Sequence, residues 1–358
     1  MNYQATAARS HCALIHSNAQ LNPCIRRPTA LSSAPTRASF PRTLHRFSKG
    51  RGATMLKAND TKGSTSTQQG LTMASPQTQA SAFSLLSISS AALATLAIFL
   101  PPELLLNAAF PASAQSALDP VFLRIAGATL VISSAVEYCL KDAAENGRLA
   151  SATYQRLMVG CAVKSTAYLA AFAASPDVWS PLVVALYPTA AAASLALNVG
   201  VLQANNKQQQ GKEPASLAVP LSSSTRDGWI YSAFALIYIG TALACWAPAG
   251  GPSLFSPDIS ESAAGQLLKH TWSPGFLLAA VACINLKDAA DRGRLGASTF
   301  KRLNLGIAGL ETAYSMSFAG AMFSGMAPTD LSSPAGSNLA ASLGIALFCL
   351  WKGTQSKK

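Results

Sequence analysis

Two ionisable residues, Lys164 and Glu311, lie well inside runs that are otherwise apolar, and any chemistry of this chain starts with them. Counted from Leu157 and Leu303, they sit roughly 10–12 Å into their runs at 1.5 Å per helical residue. A lone charge at such depth in a bilayer costs about 2.5–3.5 kcal/mol, so the two are expected to pair across the interface of two halves. Tyr168 and Tyr314, one turn further on, would add hydroxyls to the same cluster. Such a pair either fixes how the halves dock or forms a gate or proton-binding site on a translocation path. Lysine is also long enough to carry its ammonium toward the nearer surface, which would leave Lys164 no role beyond packing.

A second set is charged and repeated. LKDAAENGRLASATYQRL at 140–157 returns as LKDAADRGRLGASTFKRL at 286–303. With the same offset of 146 the match runs on to Ala173 and Ala319, and 18 of 34 positions are identical. The chain is an internal duplication. The copies share Lys141 and Lys287, Asp142 and Asp288, Gly147 and Gly293, Arg148 and Arg294, and Arg156 and Arg302. These residues would make two cationic sites, one per copy, for an anionic head group, an anionic solute or a partner protein. They would equally serve a short interfacial helix in which Asp caps, Gly turns and the bases hold the topology.

Within the first copy, ENGRLA at 145–150 resembles the E-x-x-N-G-R-x-A pattern at the start of chlorophyll-binding helices in light-harvesting proteins. The resemblance covers about six residues and would imply an acidic pigment ligand three residues before the Asn. Ala143 holds that place, Gln155 and Arg156 break the apolar run that should follow, and Arg292 replaces the Asn in the second copy. No cofactor is assigned on it. His270, aligned with Arg124, is either a pH-responsive group facing an acidifying lumen or a solvated interfacial side chain. The chain holds no His box, no HExxH, no G-x-S-x-G with triad partners and no phosphate-cradling Gly loop, so it is expected not to be an enzyme. Cys139, Cys161, Cys245, Cys283 and Cys349 lie in or beside apolar runs without CxxC spacing and are expected to be free buried thiols.

The elements that must position these residues are membrane spans. Half of the residues are hydrophobic and only 12% are charged, about half the charged share of an ordinary soluble domain. Eight spans are expected: 81–100, 121–139, 157–174, 178–202, 229–247, 271–286, 303–322 and 339–351. The fold class is therefore an all-α integral membrane protein of eight transmembrane helices in two parallel four-helix repeats, 81–202 and 229–353. A polar linker at 203–228 joins them and a basic tail at 354–358 follows. An even number of spans per repeat brings both copies in from the same side, so the axis relating them runs along the membrane normal.

The formal charge of +12 is misleading. Residues 1–58 hold seven Arg, two Lys and no acid among many Ser, Thr, Ala and Pro, the composition of an organelle transit peptide, chloroplast by preference. Residues 59–80 form a polar, disordered lead-in. Without the leader the excess falls to +3, which removes the support for nucleic-acid binding. Lys and Arg crowd the loops at 140–156, 203–228 and 287–302 and the tail, whereas the opposite loops carry Glu103, Asp119, Asp177, Asp258, Glu261 and Asp330. The positive-inside rule then places both mature termini in the stroma of a thylakoid or inner-envelope membrane. Ala112-Ser113-Ala114 would allow the first span to be cut away, but its counterpart in the second repeat favours retention. All five tryptophans fall at expected span ends, as interfacial rings do. The expected function is a transporter-like or channel-like protein for a small solute or ion. The alternative is a non-catalytic accessory or assembly protein of a photosynthetic complex.

Overall fold

The computed structural model describes residues 75–111, 115–208, 218–246, 261–330 and 332–355, and among them the chain is all-helical. The nine α-helices are α1 (Pro76–Phe99), α2 (Pro102–Ala109), α3 (Asp119–Glu145), α4 (Ala152–Ala174), α5 (Pro181–Gln208), α6 (Arg226–Cys245), α7 (Ala263–Asp291), α8 (Ser298–Phe323) and α9 (Pro334–Thr354). Seven of them, α1, α3 to α7 and α9, are long and apolar enough to cross a membrane. Helix α8 has the length but carries Lys301, Arg302, Asn304 and Glu311 along it. The expected transit peptide, the Ala112–Ala114 cleavage motif and the middle of the linker lie outside the described residues.

Helix ends follow local chemistry. Ser75, Thr225, Ser262 and Ser333 cap α1, α6, α7 and α9 by accepting from backbone N–H groups three residues on. The glycines shared by the two copies are helix stops. Gly147 and Gly293 take φ of 62° and 63°, and the bonds Arg148 N–H to Ala143 O (2.8 Å) and Arg294 N–H to Ala289 O (2.7 Å) close the same left-handed cap on α3 and α7. These stops correct the expected span limits. Helices α3 and α7 run on to Glu145 and Asp291, so Lys141, Asp142, Lys287 and Asp288 sit on the last turns of long helices rather than in loops or a separate interfacial helix. Arg156 and Arg302 lie in the first turns of α4 and α8. Helix α1 begins inside the stretch expected to be disordered, and α5 extends six residues into the expected linker.

The two helical hairpins cross over. Helix α3 packs along α8 and α4 along α7, while α3 scarcely touches α4 and α7 scarcely touches α8. Outside this core α1 lies on α3, α6 on α7, α5 on α4 and α9 on α8. Close approach is made by small residues placed alike in both copies. A Cβ on Gly160 would meet Leu278 and Val281, and one on Gly306 would meet Ile132 and Ala135, which are the same contacts shifted by the repeat offset. A Cβ on Gly275 would stand 2.3 Å from that of Thr129, and one on Gly265 would stand 2.8 Å from Asp119. Thr129 and Gly275 are one position of the duplication, as are Asp119 and Gly265. Because equivalent residues meet at two points ten residues apart, α3 and α7 run side by side in the same direction over about 15 Å.

At the start of these two helices the buried Asp119 carboxylate accepts the hydroxyl of Ser116 (3.1 Å) and that of Ser262 (2.7 Å), again an equivalent pair. Trp229, Trp246 and Trp351 are exposed at helix ends as expected. Trp179 and Trp272 are instead buried, because α7 begins eight residues before the expected span and Trp272 falls inside it, its N–H directed to Cys245 Sγ. The five described cysteines are free and buried.

Candidate functional site

Three polar centres lie among these helices. The first corrects the expected pairing of Lys164 with Glu311. Lys164 Nζ lies 3.3 Å from Glu137 Oε1, and Ser90 Oγ donates to Glu137 Oε2 at 2.8 Å. Glu137 is 2% exposed and Lys164 5%. This centre ties α1, α3 and α4 together within the first copy. Ser165 and Ser194 join α4 to α5 at 3.1 Å beside it. Glu137 was missed from sequence because the second span was read as ending at Cys139. With α3 running to Glu145, Glu137 lies about 12 Å from the helix end.

The second centre is Glu311, 3% exposed. Tyr238 on α6 donates its hydroxyl to Oε1 at 2.6 Å, and Ser342 on α9 donates to Oε2. Two turns away on the same helix faces, Tyr231 donates to Asn304 Oδ1 at 2.6 Å. The hydroxyls therefore come from Tyr238 and Ser342, not from the expected Tyr168 and Tyr314, whose rings pack edge-on against Tyr187 and Phe276 respectively, Tyr314 also lying tilted on Phe318. Among the described residues Glu311 has no ion pair, in contrast to Lys164 and Glu137. Its ligating groups were illegible in sequence because Tyr238 and Ser342 come from helices 73 and 31 residues away.

The third centre gathers the repeated charges at the other end of α3 and α7. Arg156 Nη1 donates to Asn285 Oδ1 at 3.0 Å and lies 3.4 Å from Asp288, while Arg302 Nη1 lies 3.5 Å from Asp142. Each copy's late arginine thus reaches the other copy's aspartate. Each loop arginine stays with its own copy, Arg148 at 2.7 Å from Asp142 and Arg294 at 3.9 Å from Asp288, where Arg292 adds a contact at 2.8 Å. Lys287 is buried and pairs with Asp291 at 2.8 Å, and Asp291 in turn accepts from Ser223 and Thr225 of the segment before α6. That buried position corrects the expectation of an open cationic site at Lys287. Lys141 remains at the surface, 2.9 Å from Glu145. Asp227 and Lys352 close the same end between α6 and α9.

His270 stacks on the Trp246 ring with centroids 4.6 Å apart. Its neighbour Lys269 pairs with Glu261 at 2.8 Å.

Chemically, the Lys164–Glu137 centre neutralises itself and the charged end forms a reciprocal latch. The Glu311 centre alone presents a carboxyl with hydroxyls from two other helices, an oxygen set suited to a proton or a small cation. No protein-family model matches this chain, and no curated protein matches it.

Proposed function

We propose that this is a non-enzymatic protein of a plastid membrane, thylakoid or inner envelope, that moves a small solute or ion, and that Glu311 is its ion-binding carboxyl. In this reading eight helices cross the bilayer as two parallel four-helix repeats, with α3 and α7 along the axis between them, the mature chain retaining α1 and both its termini facing the stroma. The observation that carries it is Glu311 itself. An ionisable group buried among membrane helices marks a functional site by default, and this one has hydroxyl partners on α6 and α9 but no ion pair among the described residues.

The test is flux in vesicles. Glu311→Gln keeps one carbonyl acceptor and turns an amide N–H toward the other hydroxyl, which can rotate to accept it, while removing the titratable charge, so its melting temperature should stay near that of the parent chain. Proton- or cation-driven uptake should fall about tenfold or more, the scale of one lost charge-assisted interaction. Uptake unchanged in this variant would remove Glu311 from the path.

Topology has its own check. Protease added to the stromal face of intact membranes should cut in the 203–228 linker, and protection of that linker with cleavage at 249–266 would reverse the orientation.

A second reading, an accessory or assembly protein of a photosynthetic complex, is favoured by the repeat interface. Gly160, Gly306 and Gly275 close it tightly and the Arg156 and Arg302 latch spans it, which suits a rigid body better than a rocking one. Comigration with a photosystem or antenna complex on a native gel supports this role, and a small separate oligomer supports transport.

A further inference from the structure

The two copies of the latch are not equal. Arg156 is buried and bonded to Asn285, but position 139, the equivalent of Asn285, is Cys139, whose thiol points instead to Thr299 O. Arg302 therefore lacks an amide partner. Its Nη1 lies 3.5 Å from Asp142, makes no hydrogen bond, and competes with Arg148, which already holds the same oxygen at 2.7 Å. A third of the Arg302 side chain is exposed, and its guanidinium lies over the Tyr138 ring at 4.7 Å. Lys141 approaches the same ring at 5.5 Å. Position 284, the equivalent of Tyr138, is Ile284, so the second copy has no such platform.

Arg302 and Tyr138 line one end of a cavity of about 480 Å³ between α1, α3 and α8. Its walls are otherwise chiefly apolar, with Ala91, Ala94, Ile98, Val131 and Leu305 among them, and its two serines, Ser87 and Ser134, bond to each other. The volume lies in the ordinary range for a small-molecule site of about 300–1,000 Å³. The cavity opens beside exposed apolar side chains, Phe99 at 71% and Leu305 at 43%, that face the surrounding hydrocarbon in a membrane protein.

We propose that this groove holds one anionic lipid of the bilayer, its acyl chain along α1, α3 and α8 and its head group on Arg302 and Lys141. Charge decides the occupant. Among the described residues Lys141, Arg148 and Arg302 face only Asp142 and Glu145 at this corner, which leaves one positive charge over, and Arg302 is the member whose own pairing is weakest. A neutral chain would fill the walls and leave that charge unanswered. A small soluble anion would answer it and leave the apolar walls empty. The site stands apart from Glu311, so it survives or fails independently of the transport reading.

The experiment is native mass spectrometry of the full chain from vesicles of equal phosphatidylglycerol and phosphatidylcholine. One retained lipid is expected, with an anionic preference of about fivefold or more for the charges near the head group. Arg302→Gln should abolish the preference. Ala91→Phe, which fills the groove without touching a charge, should abolish retention while leaving the melting temperature unchanged, which guards against misfolding of the arginine variant. Equal retention of the two lipids, retention untouched by Ala91→Phe, or a second copy of the chain cross-linked through position 91 would overturn the proposal.

Discussion

Replacing Lys164 by Met in the otherwise intact chain is expected to cost about 3–5 kcal/mol, enough to remove most of the folded protein from the membrane. Among the described residues the substitution leaves the Glu137 carboxylate, 2% exposed, with only the Ser90 hydroxyl as partner. Glu137→Gln alone is expected to do comparable harm by stranding the ammonium. Combining the two should recover most of the loss, because a buried pair replaced by neutral groups of similar size is commonly near neutral and Gln can still accept from Ser90. Exchanging charges between Lys164 and Glu311 should recover nothing, since the two sit in different centres built from different helices. Accumulation and thermal unfolding of the four variants read this directly. Rescue by the Lys164→Glu, Glu311→Lys exchange would show that the assignment of partners is wrong.

The crossing of α3 and α7 is the second place where a small change should have a large effect. Gly275→Thr puts a Cβ 2.3 Å from that of Thr129, a separation that atoms do not tolerate, so the helices must part. The cost should be about 1–3 kcal/mol or more, as in other overpacked interfaces. Thr129→Gly alone removes a fully buried side chain and adds glycine to a helix, for about 1–2 kcal/mol. Made together, the two changes exchange the residues between equivalent positions of the duplication, and unfolding should return to within about 1 kcal/mol of the parent. A double variant no better than the sum of the singles would mean that the two copies do not meet on a common axis.

The outline of this protein was legible in its residues because apolar length and repetition are local properties. A run of some twenty apolar residues announces a helix that can span a bilayer, whatever lies beside it. The 146-residue offset announces that each element has a counterpart, and every long helix of the structure has one at that spacing. The shared Gly147 and Gly293 also carried a local instruction, a positive φ that ends a helix, although its effect on the span limits emerged only with the caps in place.

Which charges meet was decided by tertiary structure. Lys164 and Glu311 look like partners by depth and alignment, yet the hairpins cross over, so α4 lies on α7 and α3 on α8, and the nearest carboxylate to Lys164 belongs to its own copy. The same crossing sends Arg156 to Asp288 and Arg302 to Asp142, pairings that no spacing along the chain encodes. An ion pair between helices is fixed by rotation and register, to which hydropathy is indifferent, and a single helix end moved from Cys139 to Glu145 was enough to turn Glu137 from a boundary residue into a buried one.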